Sequence, residues 1–207
     1  MLTVQIPTKP YEDEQLYLKS EHSFNEGITI LVGKNGAGKS TLLNFVKEKC
    51  EQEKTPIFFY DNYDEGGQHA KSKYSYHSDF TMLATVMSSS EGQQIFLNFG
   101  FMMGRLGNFV KKNASAEKMV IAFDAIDSGL DLANIAEIRA FLDRVVEDIR
   151  KDGTEVYVLI TANSYGFVKN SRCYDVAKNK EITFNSYDEY EKFIIKRAGA
   201  RNKNAND

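Results

Sequence analysis

Nine consecutive residues, Gly33 to Thr41 (GKNGAGKST), set three glycines ahead of a lysine and two hydroxyls. A β-branched run, ITILV, stands before them, and a segment with apolar residues at Leu42, Leu43, Phe45 and Val46 follows. The spacing fits G-x-x-x-x-G-K-[ST], and a strand before with a helix after is the context that gives this pattern its meaning. Glycines at 33, 36 and 38, with Lys34, Asn35 and Ala37 between them, let backbone N–H groups turn inward around phosphate oxygens. The start of the helix adds partial positive charge. Lys39 would set an ammonium against the β- and γ-phosphates of ATP, and Ser40 would offer its hydroxyl to Mg2+. A chance glycine-rich turn would not come with that strand and that helix.

A second stretch, IAFDAIDSGLD, ends an apolar run in Asp124. An acid at the tip of a buried strand, lying next to the cradle strand, would reach Mg2+ directly or through water. Alone it would read better as a strand-end helix cap; the cradle upstream reverses that preference. A third, SSSEGQQ at 88–94, places hydroxyls and a glycine where a long helix begins. Ser90 and Gly92 there form a second anion-binding helix start, although serine-rich caps are common.

The elements that must carry these residues follow from periodicity. LTVQI and LYLKS have strand-like composition near the N-terminus, and PIFFYD, KMVIAFD, VYVLIT and EITF read as further strands. Helices are predicted over KSTLLNFVKEKCEQEK, over about 90–112, over 131–151 with Leu132, Ile135, Ile138, Leu142, Val145 and Ile149 on one side, and over YDEYEKFIIKRA. The stripe Ile95, Phe99, Met102, Leu106 and Phe109 reads as core packing rather than a cofactor box. Residues 62–79 read as an irregular loop. Apolar strands alternating with helices imply an α/β fold, a mostly parallel sheet flanked by helices with an antiparallel β edge near the N-terminus. The expected organisation is one domain over 1–198, with a reduced helical segment at about 62–115 and a disordered polar tail at 199–207.

The 207 residues suffice for one domain, and the 42% apolar and 27% charged residues exclude a disordered chain. A net charge of -3 excludes a dedicated basic nucleic-acid binder. Cys50 and Cys173 form no CxxC pair and read as reduced thiols. No signal peptide is evident, and IFLNFGFMMGRLGNFV is too short and too polar to span a bilayer. The expectation is a soluble, cytoplasmic protein with no membrane partner.

Taken in order, these pieces resemble the ATP-binding cassette ATPases, a P-loop NTPase group. GKNGAGKST looks like their Walker A. SSEGQQ is similar to their Leu-Ser-Gly-Gly-Gln signature, with Ser89 for the leucine, Glu91 for the first glycine, and Ser90, Gly92 and Gln93 matching. VIAFDAIDSGLD looks like Walker B running into the D-loop, with SGLD intact at Ser128–Asp131. The resemblance covers roughly residues 25 to 165. The wording around Asp124 and the compact size look more like the soluble RecF-type, OLD-family and chromosome-maintenance branch than like transporter subunits. It implies Mg-ATP held at a composite site in a head-to-tail homodimer. There the cradle of one subunit meets Ser89, Ser90, Gly92, Gln93 and the D-loop Asp131 of the other.

Three departures from the family pattern bear on activity. Its catalytic glutamate falls on Ala125, whose methyl group can neither accept a proton nor orient water, so hydrolysis should be slow while Mg-ATP binding survives. The chain is either naturally hydrolysis-poor or carries a glutamate-to-alanine replacement, and the intact surroundings favour the replacement. The switch histidine falls on Asn163, or on Ala162 if the register slips; an asparagine can donate to the γ-phosphate but cannot shuttle charge. The Q-loop glutamine, a Mg2+ contact, has one loosely placed candidate, Gln68.

Smaller signals are weaker. Tyr11 and Tyr17 stand where the family often stacks an aromatic on adenine. His22, His69 and His77 have no metal-ligand spacing. Lys169, Arg172, Lys178, Lys180, Lys192, Lys196 and Arg197 read as a solvated face before a DNA or RNA track. The readings that follow are a soluble dimeric ATPase acting on DNA or driving a partner such as a nuclease in repair or phage defence, a non-hydrolysing nucleotide-sensing module, and a transporter nucleotide-binding subunit. The short span between Lys39 and Ser90 counts against the last.

Overall fold

Both faces of the central sheet are covered, which is why its strands are apolar at nearly every position. The computed structural model describes residues 1–6, 19–65 and 91–203, without the side chains of 64–65, 91–98 and 197–203. Its elements are β1 (Leu2–Gln5), β2 (Glu21–Phe24), β3 (Gly27–Val32), α1 (Lys39–Glu53), β4 (Ile57–Asp61), α2 (Asn62–Glu65), α3 (Glu91–Lys112), β5 (Lys118–Asp124), α4 (Leu132–Lys151), β6 (Glu155–Thr161), α5 (Tyr165–Val168), β7 (Cys173–Asp175), β8 (Lys180–Ile182) and α6 (Tyr187–Lys203).

Six strands form one sheet in the order β4-β5-β6-β3-β7-β8. All neighbours are parallel except β8, which pairs antiparallel with β7. The strand β6 therefore stands between the cradle strand β3 and the Asp124 strand β5. Asp124 does not lie next to the cradle strand, as its sequence suggested. The loops after β3, β6 and β5 still open side by side at the C-terminal edge, where ligands bind in parallel α/β sheets.

Successive residues of each central strand point to opposite faces. Ile30, Val32, Ile121, Phe123, Val158 and Ile160 face a core built with α3, α4 and α6. Leu31, Val120, Ala122 and Leu159 face a second core with Leu42, Leu43, Val46 and Cys50 of α1. The ribbon β1–β2, antiparallel with Leu2 opposite Phe24, closes that second core with Leu2, Val4 and Phe24. Its second strand is 21–24; of the expected LYLKS strand, residues 16–18 lie outside the described ones, and Lys19 and Ser20 are not in a strand.

The stripe of α3 is core at the four described positions: Met102 and Leu106 are buried, and Phe99 and Phe109 pack against the same cluster, while the Ile95 side chain lies outside the description. In α4 the expected face needs two corrections. Leu132 is 74% exposed, and Val146 rather than Val145 is fully buried with Ile135, Ile138, Leu142 and Ile149. Leu132 is the first residue of the helix, beside its Asp131 cap, and so stands clear of the sheet. The last helix runs to Lys203, into the polar segment expected to lack structure. Among the described residues no helix is long and apolar enough to cross a membrane.

Candidate functional site

The loop between β3 and α1 has the backbone that its glycines permit. Gly33, Gly36 and Gly38 have positive φ, at 155°, 76° and 88°. At Gly38 this left-handed turn is the N-cap of α1, and no side chain caps the helix there. Nor does the first turn carry an acidic residue. With no side-chain cap and no acid in its first turn, the helix start keeps its partial positive charge for an anion. At Gly33 a Cβ would stand 3.0 Å from the Cβ of Ala37, so the loop closes on itself too tightly for a side chain.

Lys39 is held in place from within the loop. Its Nζ donates to the carbonyl of Gly33 at 2.7 Å and to that of Lys34 at 3.3 Å. Burial lowers its pKa from the ordinary lysine value, against the opposing pull of Asp124 and Asp127. Ser40 and Thr41 are exposed in the first turn of α1, and Asn35 is exposed at the tip of the loop.

Across β6, Asp124 ends β5 and is 7% exposed. Thr161, the last residue of β6, donates its hydroxyl to Oδ1 of Asp124. The same Thr161 oxygen accepts the N–H of Ala125 at 2.8 Å. Ala125 has a φ of 51°, a left-handed conformation that costs an alanine about 1 kcal/mol or more. It sits where the strand breaks into the loop, half-buried. Asp131, counted with the nucleotide contacts from the sequence, is exposed and caps α4 by accepting the N–H of Asn134 at 2.8 Å. The helix cap in this segment is therefore Asp131 and not Asp124.

Asp127, unremarked in the sequence beyond its place in IAFDAIDSGLD, joins the two loops. Its Oδ2 accepts the N–H of Asn163 at 2.7 Å and that of Ser164 at 2.5 Å. Of the two candidates for the switch position, Asn163 is exposed and Ala162 is buried. Thr161 was equally overlooked; the signal was a lone hydroxyl closing the apolar run VYVLI. Gln68, Ser89, Ser90, Tyr11, Tyr17, His69 and His77 lie outside the described residues. Gly92 and Gln93 fall in the first turn of α3, with their side chains outside the description.

The residues present fit a magnesium nucleotide. An uncapped helix start, a lysine aimed back over a glycine loop, an exposed hydroxyl at Ser40 and a buried carboxylate at Asp124 supply an anion cradle and hard oxygen ligands. The carboxylate depends on Thr161. Thr161→Val removes one hydroxyl and takes a partner from the buried Asp124 carboxylate and from the half-buried N–H of Ala125, which costs about 2 kcal/mol. Urea denaturation will show the loss, and an unchanged midpoint would refute the anchoring role.

Comparisons with known proteins agree with this geometry. A family described as an AAA domain matches residues 9–56, the segment that contains the cradle. The cytochrome c biogenesis ATP-binding export protein CcmA of Rhizobium johnstonii is 33% identical over 97 residues, 47% of this chain. The match spans 41% of that relative's length, less than half of it. The glycine cradle at the edge of a mostly parallel sheet and these two likenesses support kinship with the P-loop NTPases of the ATP-binding cassette ATPase superfamily.

Proposed function

We propose that the chain binds Mg-ATP in the Gly33–Thr41 cradle and closes head-to-tail on a second copy of itself, each copy completing the other's site with Ser89, Ser90, Gly92 and Gln93. The observation that carries the reading is the uncapped N-terminus of α1, with Lys39 already folded over the loop. Lys39 neutralises charge on the β- and γ-phosphates, while the backbone N–H groups of the loop orient them. Ser40 and Asp124 would hold Mg2+, with Gln68 a further candidate ligand, and Thr161 keeps the Asp124 carboxylate turned to its task. The ion supplies charge neutralisation for the phosphate oxygens. Asn163 would donate to the γ-phosphate.

With Ala125 in place of a carboxylate, no side chain at that position takes a proton from the attacking water, so turnover is slow and the triphosphate state persists. A closed dimer with long residence suits a cytoplasmic ATPase that clamps DNA or RNA or engages a nuclease-type partner. The resemblance to RecF-type and OLD-family ATPases supports that direction. Light scattering tests the core of the reading: the chain is monomeric with Mg-ADP and dimeric with Mg-ATP. A chain that stays monomeric with both refutes it.

Two other readings rest on particular observations. Ala125 together with Asn163 supports a nucleotide sensor that never hydrolyses ATP. The likeness to an ATP-binding export protein supports a transporter subunit. The short span between Lys39 and Ser90, which leaves little room for a subdomain that docks a membrane partner, speaks against the second.

A further inference from the structure

Asn163 is held by its backbone from both sides. Its N–H is taken by Asp127 Oδ2 at 2.7 Å, from the loop that follows Asp124. Its carbonyl accepts the hydroxyl of Tyr190 at 2.9 Å, from the last helix of the chain. Asp127 and Tyr190 are themselves buried, and Tyr190 packs edge-on against Phe184 and tilted against Tyr165. The next residue is fixed as well: Ser164 gives its N–H to the same carboxylate oxygen and caps α5. That short helix is seated against α4, where Gly166 comes so close to Ile135 that a Cβ would meet it at 2.8 Å. By contrast the Asn163 side chain is exposed and makes no hydrogen bond to another described residue. It emerges after β6, between the loop that carries Lys39 and the loop that carries Asp124.

A residue whose backbone is over-determined while its side chain is uncommitted is arranged to present that side chain in one place. We propose that Asp127 and Tyr190 are positioning residues that hold Asn163 at the terminal phosphate, so that the site tells a triphosphate from a diphosphate. This rests on the reading of the cradle as an ATP site. Asp127 also adds its charge to the field at Lys39, so the group that fixes the sensing loop acts on the phosphate-binding ammonium too. Tyr190 extends the arrangement to α6: contact at the terminal phosphate is felt one hydrogen bond away by the C-terminal helix.

Calorimetric titration with the β,γ-imido analogue of ATP and with ADP, both with Mg2+, tests this. Tyr190→Phe removes one hydroxyl from a packed ring and will lower affinity for the imido analogue about tenfold while leaving ADP binding unchanged. Asp127→Ala will also lower affinity for the imido analogue, and Asp127→Asn, which keeps an acceptor oxygen for the two N–H groups, will restore most of that loss although the charge felt by Lys39 is gone. Asn163→Ala will lose the same factor, and adding Tyr190→Phe to it will cost nothing more, because the tyrosine acts through the asparagine. Equal losses for both nucleotides, or additive losses in the double variant, overturn the proposal and make the contacts merely structural. A wild-type chain that binds neither nucleotide overturns the ATP reading and this proposal with it. A wild-type chain that discriminates, with variants that discriminate equally well, overturns this proposal alone.

Discussion

Lys39→Ala will lower affinity for Mg-ATP about a hundredfold. The ammonium is already gathered into the loop by the carbonyls of Gly33 and Lys34, so it needs little ordering to meet a phosphate. A charge-assisted contact of this kind contributes about 3 kcal/mol, and removing it leaves only the N–H groups of the cradle. The same substitution should not destabilise the protein without nucleotide. Burial disfavours the charged amine, as its lowered pKa shows, so deletion takes away a cost as well as two hydrogen bonds.

The pH dependences of binding and folding run in opposite directions. Below its lowered pKa Lys39 is charged and binds phosphate; affinity is lost as pH rises through that value, before an ordinary lysine would titrate. Over the same window the unfolded chain still holds the proton that the folded chain gives up, so folding stability rises with pH. Calorimetry at neutral and alkaline pH, beside thermal melts without nucleotide, checks both signs. Affinity unchanged by Lys39→Ala would remove the phosphate cradle from consideration.

Ala125→Glu will raise the rate of ATP hydrolysis about a hundredfold or more, the usual contribution of a well-placed general base. Residue 125 lies directly after the Asp124 carboxylate, and its backbone is pinned by Thr161, so a longer side chain there starts from a fixed point. Its left-handed backbone already carries the strain that any non-glycine residue would add, so the substitution brings no new backbone penalty. Phosphate release under single-turnover conditions reads the effect, and Ala125→Gln controls for size without a proton acceptor. A faster Glu variant supports the ATPase reading, in which the alanine is the cause of slow turnover. Should the Glu variant bind Mg-ATP and hydrolyse it no faster, the nucleotide-sensing reading gains.

What could be read from the sequence is what depends on neighbours in the chain. The cradle, its strand and its helix lie within twenty-odd residues, and strands covered on both faces announce themselves as unbroken apolar runs. Strands β2 (EHSF) and β7 (CYD) escaped because each is short and partly polar, and each earns its place by packing: Phe24 in one core, Cys173 in the other. The position of β6 between β3 and β5 was not legible, since strand order depends on crossovers that leave no local trace. For the same reason the contacts of Thr161 with Asp124, and of Asp127 with Asn163, could not be read; the partners are 37 and 36 residues apart. Leu132 misled because periodicity assigns a face but not whether a neighbour reaches the end of it.

The intervening strand has an electrical consequence. Two strand spacings, about 9.6 Å, separate β3 from β5. The Asp124 carboxylate acts on the Lys39 ammonium, yet the two form no ion pair. Had the two strands been neighbours, cation and carboxylate could have met and cancelled. With β6 between their strands and no ion pair joining them, they remain opposite poles at one edge of the sheet, suited to a guest that carries both signs.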